Sequence, residues 1–269
     1  MALAEDVGEG DHSSLACIPK EAQSRAQLII KDDCILAGVN IAERVFLKVD
    51  PSLKFNLNVR DGNAVKIGDI AFTVEGSSQS ILKGERLALN CIQRMSGIAS
   101  YTHYLNSLIS HTDAKLLDTR KTTPNFRMME KWAVVIGGGH NHRYNLADMI
   151  MLKDNHIDYA GGISQAIEKT NEYITSKNLA LKIEVEARDL NEVEQILQAG
   201  KVHRIMFDNF SIEDLVTGVK LVQNKFETEA SGGITEQTIT KVAETGVDYI
   251  SVGALTHSVI SKDMSLKAF

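Results

Sequence analysis

Residues 181–208 read LKIEVEARDLNEVEQILQAGKVHRIMFD. A short apolar run, LKIEVEA (181–187), ends among charged residues. An amphipathic helical stretch, DLNEVEQILQA (189–199), follows it. A second short run, HRIMFD (203–208), again ends on an acid. Strand, helix and strand in so short a span form the unit that builds a parallel sheet covered by helices.

The rhythm extends outward from this stretch. AKLLDT (114–119), DMIMLKD (148–154), FETEA (226–230) and VDYISVG (247–253) are further short runs. ISQAIEKTNEYITSK (163–177) and TEQTITKVAETG (235–246) are further amphipathic stretches. The strand ends Glu186, Asp208 and Ala230, followed by Val252, fall 22 residues apart. A β/α unit of that length suits a TIM-like barrel better than an open sheet, although spacing alone leaves the open sheet possible. In such a barrel the chemistry sits at the carboxyl ends of the strands. Those ends carry Asp118-Thr119-Arg120-Lys121, Lys153-Asp154, Glu186, Asp208-Asn209, Ser231-Gly232-Gly233 and Gly253-Ala254.

Before residue 112 the pattern is mixed. AQLIIKDDCILAGV (26–39) reads as β with a turn at Lys31-Asp32-Asp33, and IAERVFLKV (41–49) has helical spacing. FNLNVRDGNAVKIGDIAFTVEG (55–76) alternates apolar and polar residues around Asp61-Gly62 and Gly68-Asp69, which predicts antiparallel hairpins. LKGERLALNCIQRMSGIASYTHYLNSLIS (82–110) is helical with an expected interruption near Gly97, as one broken helix or two shorter ones.

The bulk numbers bound the function. The chain has 269 residues, 43% hydrophobic and 24% charged, so it can bury a large core as one large or two modest domains. A formal net charge of −6 argues against general nucleic-acid affinity, which needs a basic surface. Cys17, Cys34 and Cys91 are odd in number, widely spaced and lack a C-x-x-C motif, so reduced thiols in a cytoplasmic protein are expected. The N-terminus MALAEDVGEGDHSS has no apolar signal segment, and no apolar run is long enough to predict a membrane span.

Against that acidity, residues 115–153 carry seven cations and three acids. Arg120, Lys121, Arg143 and Lys153 on one rim imply a ligand with more than one negative charge, because Arg grips carboxylate or phosphate with a planar fork and Lys adds a point charge. Taken singly, each is more often a surface ion pair. Glu186 and Asp208 are two carboxylates facing that pocket, a donor set suited to Mg²⁺ with substrate oxygens. They equally suit structural work: pairing with Lys153, or capping a helix, as Asp208-Asn209-Phe210-Ser211 suggests. The glycine loops after the last two strands suit phosphate, since glycine lets backbone N–H groups come close to a ligand. Gly137-Gly138-Gly139-His140-Asn141-His142-Arg143 lacks the ending of a P-loop and the spacing of a dinucleotide fingerprint. His140 and His142 are poorly spaced to share one metal. A lone His is more often structural, and His142, beside Arg143, is the better candidate for ligand contact.

Several of these stretches belong together. LLDTRKTTP (116–124), KWAVVIGGGHNHR (131–143), MLKDNHI (151–157), IEVEA (183–187), FDNF (207–210), EASGGIT (229–235) and ETGVDYISVGALTHS (244–258) resemble the quinolinate phosphoribosyltransferase family, the decarboxylating nicotinate-nucleotide pyrophosphorylases. The resemblance runs from about residue 4 to the end.

It implies an N-terminal α/β sandwich domain (1–111), an incomplete TIM-like β/α barrel (112–257) and a tail (258–269) that returns to the first domain. It also implies a cytoplasmic homodimer in which one copy's sandwich domain covers the other's barrel. The implied reaction transfers phosphoribosyl from phosphoribosyl pyrophosphate to quinolinate with Mg²⁺, in de novo NAD biosynthesis. Arg120, Arg143, Lys153 and His142, with Thr119, would hold the two carboxylates, and Arg86 would enter from the neighbouring subunit. Lys121 would meet pyrophosphate or a carboxylate. Glu186 and Asp208 would lie near ribose and Mg²⁺ and, with Lys121 and Lys153, carry catalysis. Ser231, Gly232, Gly253 and Ala254 would hold the 5′-phosphate, with His257 shaping that site.

The chain departs from the family pattern at Ser13 and Ser14, where Thr is common, and at Phe126 and Trp132, where Leu and Tyr are usual. It also starts later than the family usually does, which suggests a truncated or late-annotated start. Two other functions compete: a related phosphoribosyltransferase of the molybdate-transport-associated type, and a non-catalytic sensor of phosphoribosyl ligands.

Overall fold

A computed structural model describes residues 1–269. The chain divides into two compact units. One comprises Met1–His103, Thr122–Gly138 and Leu255–Phe269; the other comprises Tyr104–Lys121 and Gly139–Ala254. The sequence reading divides the chain after residue 111 and after residue 257, with the tail 258–269 returning to the first domain. Residues 122–138, with the helix Arg127–Ile136, instead belong to the first unit. Buried Glu130 explains this, because its Arg94 partner lies in that unit.

The first unit holds β1 (Gln23–Ile30), β2 (Cys34–Ile35), β3 (Lys54–Leu57), β4 (Ala64–Val65) and β5 (Ile70–Ser77). The second holds β6 (Lys115–Leu117), β7 (Ile150–Leu152), β8 (Ile183–Ala187), β9 (Arg204–Asp208), β10 (Glu227–Ser231) and β11 (Tyr249–Ser251). The last strand, β12 (Met264–Ala268), pairs antiparallel with β1, so the chain end closes the first unit's sheet in the order β12-β1-β5-β3.

Alternation along β1 and β5 sends Leu28, Ile30, Phe72 and Val74 to one face. There they meet Ala42 and Phe46 of the helix Val39–Val49, and Leu89 and Ile92 of the helix Ser78–Leu108. Phe46, Phe55 and Phe72 form the aromatic centre, with ring centroids 4.5–6.3 Å apart.

The hairpin expectation for 55–76 is corrected. β3 pairs with β5, while β4 leaves to pair with β2. The Asp61-Gly62 turn is tied elsewhere: Asp61 accepts the Val39 N–H at 2.9 Å, and the Gly62 N–H donates to the Leu36 carbonyl at 2.8 Å. The turn therefore serves a helix start and β2 rather than closing β3 onto β4. The expected interruption at Gly97 is also absent, and Ser78–Leu108 is one continuous helix. Gly97 is there for close approach: a Cβ on it would lie 2.3 Å from the Ile260 carbonyl oxygen.

In the second unit six strands run parallel in the order β6-β11-β10-β9-β8-β7, with β6 and β7 as unjoined edges. This is the incomplete barrel. Ile205, Phe207, Val185 and Ala230 face the helices; the Phe207 ring packs on Gly218 of the helix Ile212–Val222. The opposite face carries Glu184, Glu186, Arg204, Met206, Glu229 and Ser251, all buried. A buried polar face is unusual, and it is the floor of the site described next.

Gly97→Ala is expected to lower stability. Helix propensity favours Ala by about 1 kcal/mol. Overpacking costs about 1–3 kcal/mol, and the atom struck is backbone, which yields less readily than a side chain tip. Urea unfolding checks the sign; a variant more stable than the parent would mean that the tail shifts freely.

Candidate active site

Lys153 directly follows β7, Glu186 lies near the end of β8, Asp208 ends β9, Ser231 ends β10, and Gly253 follows β11. Thr119, Arg120 and Lys121 follow β6. Because the strands are parallel and adjacent, all these positions lie at the carboxyl edge of one sheet. His142 and Arg143 join them because residues 140–142 run alongside the end of β6. The His140 N–H donates to the Leu116 carbonyl at 2.8 Å, and the fully buried Asp118 accepts the His142 N–H at 2.8 Å.

Arg143 is part-buried. Nη1 donates to the Met149 carbonyl at 3.2 Å, and Nη2 lies 3.5 Å from the Met151 sulfur. Burial lowers its pKa, and the neighbouring Arg120 lowers it further. The Arg120 guanidinium thus adds to the burial that disfavours charge on Arg143. An anion placed between the two guanidinium groups relieves that cost.

Lys153 Nζ stands 2.5 Å from Glu186 Oε2. One structural alternative considered for Glu186 is therefore realised, while two Lys153 donors remain for another acceptor. The capping alternative for Asp208 is not: the cap of the next helix is Ser211, which accepts the Asp214 N–H at 3.1 Å. Asp208 accepts instead from the Asn209 amide at 2.9 Å. Asn209 also presses on the glycine loop, since a Cβ on Gly232 would lie 2.2 Å from its side-chain oxygen. Gly232 has φ +94°, so both its conformation and its neighbour require glycine. The Thr119 hydroxyl accepts the Lys121 N–H at 3.0 Å and closes the turn that carries Arg120. Arg86 and His257 lie in the first unit; both are exposed, and His257 Nδ1 is 2.5 Å from the Ser258 hydroxyl.

Beneath the rim, His142 is buried, with Nε2 3.1 Å from Glu184 and 3.4 Å from Glu229. Arg204 Nη1 donates to Glu229 at 2.7 Å, its Nη2 pairs with Glu227 at 3.1 Å, and its guanidinium stacks on Tyr249 at 3.9 Å. Burial works against charge on the His142 ring, but Glu184 and Glu229 outweigh it and push the pKa up to about 9. Burial pushes Glu184 up to about 6. Glu229 is held low, against burial, by His142 and Arg204.

Charge alone would make the ring an imidazolium. Nδ1, however, accepts the Arg143 N–H at 2.7 Å, which leaves room for a proton only on Nε2. That direct contact decides for the neutral ring with Nε2–H facing the carboxylates. His142, Glu184 and Glu229 are of metal-ligating types and offer atoms within 4.8 Å of one another. A metal would need the Nε2 lone pair, which the proton occupies, and Arg204 already neutralises Glu229. With the ring neutral, the floor holds the Arg204–Glu229 ion pair and is not a metal centre.

Sequence reasoning missed Glu184, Arg204 and Glu229, and gave Asn209 no role. The signal for the first three was available: acids at every second position in the buried strands IEVEA and ETEAS mark a polar inner face.

The description "Quinolinate phosphoribosyl transferase, N-terminal domain" matches residues 11–96, and its C-terminal counterpart matches residues 98–267. The chain belongs to the quinolinate phosphoribosyltransferase family. It is 44% identical to "Quinolinate phosphoribosyltransferase [decarboxylating] 1b" of Nicotiana tabacum, over 99% of this chain and 80% of that one. It superposes on the NadC crystal structure from Streptococcus pyogenes with a TM-score of 0.94 at 40% identity, covering 99% of this chain and 93% of that one. The nicotinate-nucleotide pyrophosphorylase structure from Francisella tularensis gives a TM-score of 0.93 at 38% identity, over 100% and 93%. Both domains that define the family are thus present.

Arg204→Met leaves Glu229 and Glu184 buried without their cation. The expected loss is about 3–5 kcal/mol of folding stability, read by urea unfolding at neutral pH. A loss below about 1 kcal/mol would show that water reaches this floor.

Proposed function

We propose that the chain transfers phosphoribosyl from phosphoribosyl pyrophosphate to quinolinate with loss of CO₂, yielding nicotinate mononucleotide and pyrophosphate in de novo NAD biosynthesis. The observation that carries this reading is the family match across both halves of the chain. Placement of the motif residues at one carboxyl edge supports it.

Quinolinate is a dianion. Arg120, Arg143 and Lys153 are assigned to its two carboxylates, with Thr119 shaping the Arg120 turn and His142 supporting Arg143 from below. Lys121 is assigned to pyrophosphate. Ser231, Gly232, Gly253 and Ala254 are assigned to the 5′-phosphate, with His257 shaping the end of that loop. Arg86, exposed on the helix Ser78–Leu108, is assigned to the site of a second copy in a homodimer. No helix is long and apolar enough to cross a membrane, and a cytoplasmic location is part of the proposal.

Mg²⁺ is assigned to Glu186 and Asp208. The donors fit: two hard carboxylates at the ends of adjacent strands, for an ion that takes one or two carboxylates with water and phosphate oxygens. When bound, the ion supplies charge neutralisation for pyrophosphate.

The pyridine nitrogen bonds to the anomeric carbon as the carbon–oxygen bond to pyrophosphate breaks. Glu186 and Asp208 stabilise the positive charge that develops on the ribose. The nitrogen, now cationic, stabilises the carbanion left on the adjacent ring carbon when the carboxylate on that carbon leaves as CO₂. The ring carbon then takes a proton from solvent. Arg143 and Lys153 hold the ring, and no strong base is required.

Incubation with carboxyl-labelled quinolinate tests the reading. Label is expected as CO₂ only when phosphoribosyl pyrophosphate and Mg²⁺ are both present. No release from folded protein would move the assignment to the molybdate-associated type or the non-catalytic sensor. Arg120→Ala is expected to weaken quinolinate binding by about 10–100-fold, the cost of one charge-assisted contact, with the fold retained in circular dichroism. Unchanged affinity would remove Arg120 from the site.

A further inference from the structure

Arg94 and Glu130 are in the first unit and are not among the residues assigned to substrate. Glu130 is fully buried, and its carboxylate is saturated. Oε1 accepts from Arg94 Nε at 3.1 Å, Arg94 Nη2 at 2.9 Å and the Thr123 hydroxyl at 2.8 Å; Oε2 accepts the Thr123 N–H at 2.9 Å. The same guanidinium reaches two carbonyls of another segment, with Nη1 donating to Val259 at 3.2 Å and Nη2 to Thr256 at 2.5 Å. One ion pair thus fastens the helix Ser78–Leu108, the segment at Thr123 and the segment 256–259.

We propose that Arg94 and Glu130 are a positioning pair for the transfer reaction, clamping the two segments that continue directly from the phosphoribosyl pyrophosphate-binding residues. The inference rests on the proposed function. Thr123 is two residues beyond Lys121, assigned to pyrophosphate. Thr256 is two residues beyond Ala254, assigned to the 5′-phosphate. A two-residue tether spans at most ~7 Å, so each anchor leaves its rim residue little slack. Misplacement by 1 Å costs on the order of 100-fold in rate at a reacting centre.

Stability does not explain the pair by itself. A buried ion pair is often no better than apolar residues of similar size, because desolvation offsets the attraction. What apolar residues cannot reproduce is the set of directional bonds to Thr123, Thr256 and Val259. Of the residues that bear on quinolinate, only Arg120 lies on a clamped segment, while His142, Arg143 and Lys153 do not; both clamped segments carry residues assigned to phosphoribosyl pyrophosphate. The signature should therefore be larger for phosphoribosyl pyrophosphate than for quinolinate.

The test compares wild type, Arg94→Leu, Arg94→Leu/Glu130→Leu and Arg94→Lys by steady-state kinetics and urea unfolding. Arg94→Leu leaves Glu130 buried and unpaired, so it should be the least stable. The double variant should recover most of the wild-type stability, yet keep a KM for phosphoribosyl pyrophosphate at least about ten-fold above wild type, with a smaller rise for quinolinate. Arg94→Lys keeps charge on Glu130 and should fall between. A double variant with wild-type KM for both substrates would make the pair merely structural, as would equal rises for both. Should the double variant not fold, Arg94→Lys decides alone: an unshifted KM for phosphoribosyl pyrophosphate overturns the proposal. A wild-type protein without turnover would instead overturn the parent reading.

Discussion

Charge balance beneath the rim is the constraint on which the site depends. β8, β9 and β10 turn Glu184, Arg204 and Glu229 onto one buried face, where an unpaired charge would be costly. Arg204 answers Glu229 and Glu227, and the Nε2–H of His142 faces Glu184. His142 in turn receives the Arg143 N–H, so the floor is joined directly to a cation of the rim. A barrel filled with Val and Leu would pack as well but would provide no such link.

Above that floor the balance is left open on purpose of binding. Burial, and then Arg120, disfavour charge on Arg143, and Lys153 gives only part of its donor capacity to Glu186. Such a surface is stabilised by a ligand that brings two negative charges. The glycine side of the rim works by shape instead: Gly232 leaves room for Asn209, which also holds Asp208, so the glycine loop and an acidic residue are coupled through one amide.

Much of this was legible in the sequence, and the reasons differ by region. The barrel strands were readable because parallel strands covered by helices are short apolar runs at a steady interval. The rim followed, because polar residues closing those runs must face the carboxyl edge. The first unit was less legible. Its small strands pair by tertiary choice, so β4 joins β2 and the Asp61-Gly62 turn serves the start of the Val39–Val49 helix. Gly97 looked like a break because helix propensity penalises glycine, whereas the position answers to the backbone of Ile260. Residues 122–138 could not be placed from the sequence, since what assigns them is the Arg94–Glu130 ion pair across 36 positions. The motifs that resemble the family marked the rim, but not the acids beneath it.

The central claim is that this rim recognises a dianion. Calorimetric titration with quinolinate and with nicotinate, which lacks one carboxylate, tests it most directly. The account predicts that quinolinate binds at least about ten-fold more tightly, the worth of one charge-assisted contact. Equal affinity for the two acids would contradict it.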